Sequence, residues 1–168
     1  MTLGSVRDSD DLIRVSYHLL PWSSVTEPLN VGMLLFLPYR AMEARVFDEL
    51  AAAGFDDFTP AQARVFQRIA PGGSRLTDLA AQAGITKQSA GFLVDQLERA
   101  GYVERVPDPA DRRARLVRVA ERGARCVELS RGIVAQVEAE WTVHLGAHRM
   151  AQLRSALTDL REITDPWR

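Results

Sequence analysis

Apolar and polar positions along this chain fall into runs of helical spacing, punctuated by proline and glycine. Residues 8–20 place apolar side chains at 12, 15 and 19, which fits a short amphipathic helix and fits a frayed tail equally well. Pro21 and Pro28 bracket a loop. A longer helical pattern covers about Gly32 to Ala53 and stops at Gly54, a natural residue for leaving a helix. Pro38 interrupts that pattern. It predicts a kink or a late start, because proline removes one backbone hydrogen bond and clashes one turn back. Thr59-Pro60-Ala61-Gln62 marks the next helix start: Thr59 can cap, Pro60 suits the first helical position and Gln62 can return the capping bond. This helix is expected to reach about Ala70, ahead of the turn Pro71-Gly72-Gly73.

A short helix over about Arg75 to Ala83 follows, closed by Gly84. Thr86 can cap the next helix, about Lys87 to Ala100, whose apolar residues at 90, 93, 94 and 97 form one stripe and which Gly101 ends. Two short helices joined by a tight glycine-containing turn read as a helix-turn-helix. Residues 102–106 then alternate as a strand, residues 107–111 carry turn chemistry, and residues 115–119 alternate again, giving a β-hairpin. A long helix over about Glu121 to Leu145 is broken at Gly146, and a last helix covers about Arg149 to Ile163.

Composition narrows the class. The chain has 168 residues, 46% hydrophobic and 26% charged, which suits a soluble domain that needs no disulfide or metal staple. Its one cysteine excludes an internal disulfide and points to a reducing compartment, the cytoplasm. The most apolar run, residues 31–37, is too short to span a bilayer, and the acidic N-terminus is unlike a signal peptide. The net charge of −1 hides an asymmetry. Residues 1–58 carry four arginines against nine acids, residues 59–122 carry eleven bases against seven acids, and residues 123–168 balance at six against six. The basic middle suits either a polyanion partner or an arginine-rich solvated face.

The stretch LTDLAAQAGITKQSAGFLVDQLERAGYVERVPDPADRRARLVRVAERG, residues 76–123, resembles the MarR family of bacterial transcription regulators. Leu79-Ala80 and Gly84 match its first helix and turn; Leu97-Glu98 and Gly101-Tyr102-Val103 match the end of its recognition helix; Pro109 to Ala114 match its wing. With the flanking helices the likeness covers about residues 30–163. The implied fold is mainly α with a small β-hairpin wing: a winged helix-turn-helix flanked by N- and C-terminal dimerisation helices. Residues 1–29 would be an extension, 30–58 the N-terminal dimerisation helix, 59–120 the DNA-binding domain and 121–168 the C-terminal dimerisation helices. The implied function is sequence-specific, ligand-responsive repression by a homodimer on pseudo-palindromic double-stranded operator DNA, with half-sites about 10 bp apart. Ala120 departs from relatives that place a capping threonine before the long helix.

The expected DNA contacts are Thr86, Lys87, Gln88, Ser89 and Phe92 on the recognition helix and Asp111, Arg112, Arg113 and Arg115 on the wing. A helix about 10–12 Å across fits the major groove; Gln88 can pair with adenine and Lys87 with guanine or phosphate. Gly91 is expected on the same outward side, allowing close backbone approach, and the Thr86-capped helix N-terminus favours a phosphate. Phe92 either touches a thymine methyl or packs on the adjoining helix. By resemblance, Arg113 enters the minor groove, oriented by a pair with Asp111; a plain turn residue also fits Asp111. Candidates for a small aromatic or amphipathic effector are Tyr39, Met42, Phe66 and Trp141, with Arg45 as an anion partner, against ordinary core packing for each. Cys126 reads as a buried core residue. Glu140, His144 and His148 have metal-ligand spacing, but Gly146 divides them, so no metal is expected. No cofactor is implied, and no nucleophile, paired-carboxylate or phosphate-loop pattern suggests an enzyme. Two other readings fit a basic winged helix: a DNA-compacting or silencing protein with little sequence choice, and a protein-interaction module.

Overall fold

The computed structural model describes residues 28–167, so the segment at 8–20 lies outside the described residues. The chain divides into two units, Met1–Leu37 and Pro38–Arg168. The described part of the first unit opens helix α1 (Val31–Ala52). Asn30 Oδ1 accepts the Met33 N–H at 3.0 Å, capping the helix well ahead of Pro38, so the late start does not occur. In this unit Leu34, Leu35 and Phe36 are exposed.

The second unit continues α1 and adds α2 (Pro60–Phe66), β1 (Ser74–Arg75), α3 (Leu76–Ala83), α4 (Lys87–Arg99), β2 (Val103–Asp108), β3 (Asp111–Val119), α5 (Glu121–Leu145) and α6 (Ala147–Thr164). The capping box at α2 forms as its residues predict: the Thr59 hydroxyl accepts from the Gln62 N–H and the Gln62 side chain accepts from the Thr59 N–H at 2.7 Å. The helix stops short of Ala70. Arg68 and Ile69 bond carbonyls three residues back, at 3.1 and 3.2 Å, which tightens the last turn. Ser74 Oγ then takes the Ala70 N–H at 3.0 Å.

The sheet has three antiparallel strands in the order β1-β3-β2. Strand β1 is absent from the sequence reading, because two residues are too short to show alternation; Ser74 pairs with Val117 and Arg75 with Leu116. Strand β3 begins at Asp111, earlier than the alternation suggested, and β2 runs through Pro107. Proline is tolerated there because β2 is an edge strand with a register shift between Pro107 and Asp108.

The core joins Leu50, Phe58, Val65, Leu79, Val94 and Leu97 from the helices to Tyr102 and Val117 from the sheet side. Phe58 sits at the centre of its aromatic part, with ring centroids 5.0 Å from Tyr102 and 5.4 Å from Phe66. Helix α5 meets the sheet at Gly123, where an added Cβ would lie 2.1 Å from the Tyr102 carbonyl oxygen. Its start at Ala120 has no side-chain cap; the Ala120 N–H instead donates to that same carbonyl at 2.9 Å. Gly146 (φ +85°) separates α5 from α6, which starts two residues earlier than expected and carries no buried side chain. Among the described residues, no helix is long and apolar enough to cross a membrane.

Candidate nucleic-acid interface

The helix-turn-helix is α3, a turn at Gly84 (φ +65°) and α4. The positive φ suits glycine and lets the chain reverse within three residues. Thr86 Oγ1 accepts the Ser89 N–H at 3.1 Å, and the two hydroxyls lie 2.9 Å apart, so Thr86 and Ser89 together close the start of α4. Lys87 and Gln88 stand exposed in its first turn. Ala90, Val94 and Leu97 are buried, which leaves Gln88, Phe92, Asp95 and Arg99 on the exposed side. Phe92 is 59% exposed, so most of its surface is open to solvent. Gly91 differs from its expected place on the outward side. A Cβ there would meet Leu76 Cδ2 of α3 at 3.7 Å, so it faces the first helix of the pair.

At the wing, Asp111 Oδ1 accepts the backbone N–H of Arg113 at 3.0 Å. The carboxylate thus shapes the turn, and it pairs with the Arg75 guanidinium at 3.9 Å, where a pair with Arg113 was expected. Arg112, Arg113 and Arg115 lie on β3, and Arg113 and Arg115 are exposed. The wing's base is anchored by a pair that no local spacing foretold. Asp108, nearly fully buried, accepts from Arg75 Nε at 2.9 Å and Nη2 at 2.6 Å, and from the Ala110 N–H at 2.8 Å. The Ala110 N–H and then Arg75 hold its carboxyl below the usual carboxylate range.

Other arginines of the basic segment are also engaged internally. Arg105 on β2 reaches back to α4, donating to Asp95 at 2.6 Å and to Glu98. Arg118 pairs with Glu104 at 2.8 Å across the two strands. Arg122 forks onto Asp57, with both contacts at 2.8 Å, and lies 4.5 Å over the Tyr102 ring. The Tyr102 hydroxyl donates to the same carboxylate at 2.5 Å. Burial pushes Asp57 up, but the bonds from Arg122 and Tyr102 outweigh it and leave the group lowered. Burial and then Asp57 raise the Tyr102 hydroxyl. By contrast, Lys87, Arg99, Arg113 and Arg115 have no ion-pair partner among the described residues. All four lie on the recognition helix or the wing.

The candidate effector residues divide. Tyr39, Met42 and Phe66 line a cleft of about 980 Å³ between the later part of α1, α2 and α5. Phe66 is also a core residue, only 6% exposed. Arg45 and Trp141 do not line it. Arg45, expected as an anion partner, is held by Glu49 at 2.9 Å and Glu140 at 2.7 Å. Cys126 is buried beside the cleft, and burial pushes its thiol up. His144 and His148 are exposed on either side of Gly146.

Residues 56–114 match the MarR family. The winged helix is similar to that of the MarR family. Solved structures extend the likeness beyond the matched stretch. A transcriptional regulator from Thermotoga maritima is 27% identical with a TM-score of 0.59, over 80% of this chain and 93% of that one. Wild-type MarR from E. coli in its apo form is 26% identical with a TM-score of 0.63, over 80% and 98%. The reduced form of E. coli MarR is 26% identical with a TM-score of 0.65, again over 80% and 98%. No curated protein sequence matched. The chain thus has the fold of MarR transcriptional regulators, carried by a MarR-type head whose second helix and wing are exposed.

Proposed function

We propose that this MarR-type chain is a sequence-specific, ligand-responsive transcriptional repressor that binds pseudo-palindromic operator DNA as a homodimer in the bacterial cytoplasm. One observation carries the reading. Arg75, Arg105, Arg118 and Arg122 of the basic segment are held in internal ion pairs, while Lys87, Arg99, Arg113 and Arg115 stay unpaired on the helix and wing that would meet DNA, as do Arg64 and Arg68 in and just after α2. Thr86, Lys87, Gln88 and Ser89 would bind at the major groove and Arg112, Arg113 and Arg115 at the wing's side, with Asp111 shaping the wing turn. Residues 59–120 would read DNA, and residues 30–58 and 121–168 would form the dimer, which the exposed Leu153, Leu157 and Leu160 of α6 support. An aromatic or amphipathic effector would enter the cleft at Tyr39, Met42 and Phe66 and change operator affinity by favouring one spacing of the two heads.

The test is binding to the chain's own upstream intergenic DNA against scrambled DNA over a salt series. The expected result is steep salt dependence with a specific preference on the order of 10³ or more. Equal affinity for both DNAs would favour a low-specificity architectural role, and salt-insensitive or absent binding would favour a protein partner.

A further inference from the structure

Phe92 is an exposed aromatic ring on a face that is otherwise polar. Its neighbours on that face are Gln88 one turn before, Asp95 one turn after and Arg99 beyond, at the i, i+4, i+7, i+11 spacing of a single helical stripe. The ring is 59% exposed and has no ring partner among the described residues. Asp95 beside it is turned toward Arg105, so the carboxylate is neutralised. Leaving a phenyl ring in water is unfavourable, and burying it is worth most against an apolar group. The unpaired Lys87 and Arg99 on the same helix argue against an apolar protein surface as that group and for a polyanion. On the major-groove edges of DNA the apolar group is the 5-methyl of thymine.

We propose that Phe92 is a specificity-determining residue that reads a thymine methyl in each half-site. The proposal rests on the operator-binding reading above and adds to it a base identity and a position. Four helical residues advance about 6 Å along the axis. A base step rises about 3.4 Å. The methyl therefore lies within about two base steps of the base that faces Gln88. An apolar contact releases no counterions, so Phe92 contributes to sequence choice and leaves the salt slope unchanged.

The experiment starts from duplexes selected by the purified full chain from a random pool. Each thymine of the selected site is replaced in turn by deoxyuridine, which removes the methyl and nothing else. The wild-type chain is expected to lose about fourfold in affinity at one thymine per half-site, the worth of one buried methyl. Phe92→Ala is expected to bind the thymine duplex more weakly, to show no further loss with deoxyuridine at that position, and to keep the wild-type salt slope. Phe92→Leu should retain part of the discrimination. The site is exposed, so thermal unfolding of both variants should match the wild type. The proposal fails if no single replacement weakens binding beyond twofold, or if the same penalty persists in Phe92→Ala. A selection that enriches no sequence fails at an earlier step and overturns the operator reading itself.

Discussion

Gly123 shows how one absent side chain can hold a fold together. A Cβ there would sit 2.1 Å from the Tyr102 carbonyl oxygen and 3.1 Å from the Phe66 ring, and the first of these is backbone with no room to yield. Gly123→Ala should therefore cost roughly 3 kcal/mol or more, by forcing α5 off the sheet. Urea denaturation of the full chain would measure this, and an unchanged midpoint would show that the helix shifts freely. Arg113 is the opposite case, an exposed side chain with no folded-state partner among the described residues. Arg113→Ala should leave stability within about 0.5 kcal/mol and yet weaken operator binding, most at A·T-rich flanks, with a shallower salt slope. Unchanged affinity in a salt series would remove Arg113 from the interface. Thr59, Gln62 and Thr86 were legible in the sequence because their bonds close within three residues. Gly123 was not, since its close contact is with residue 102 and resembles any other helical glycine until the chain is folded.

At the scale of elements, the wing is fixed at two points. Arg75 joins the strand before α3 to Asp108 at the wing's base, and Arg105 joins β2 to Asp95 and Glu98 on α4. In the proposed DNA complex, Arg105 would keep these two carboxylates from facing the DNA backbone bare. Arg105→Ala should reduce DNA affinity severalfold through those carboxylates as well as through the lost cation. Adding Asp95→Asn to that variant should restore part of the affinity in a direct binding titration; no restoration would assign the whole loss to the arginine's own charge. Helix periodicity and the glycine stops made α1, α3, α4, α5 and α6 legible to within a few residues. Strand β1 and the shortened α2 were hidden for one reason. Both are set by what lies across from them, β3 in one case and Ser74 in the other, and pattern along the chain carries no record of that. The Arg75–Asp108 and Arg122–Asp57 pairs span 33 and 65 residues and were equally invisible.

For the whole molecule, charge was the misleading quantity. A net charge of −1 argues against a DNA partner, and the segment count argued for one only weakly. Pairing refines it, because Arg75, Arg105, Arg118 and Arg122 are matched by carboxylates, and the cations left without an ion pair in the basic segment include Lys87 and Arg99 on α4 and Arg113 and Arg115 on the wing. Leu157→Asp, in the middle of the exposed stripe of α6, should give a monomer in sedimentation equilibrium and lose binding to two-half-site DNA far more than to a single half-site. A variant that stays dimeric would place the subunit contact elsewhere.

Helix α6 has one more consequence. Its 18 residues bury no side chain, so little within one chain repays the entropy of holding them ordered. In the homodimer proposed above, association would supply that order, and association obeys mass action. The thermal midpoint should therefore climb with protein concentration, and a cell that keeps few copies would hold this segment partly unfolded. Abundance would then act as a regulator in its own right, setting how many complete DNA-reading assemblies exist before any effector arrives.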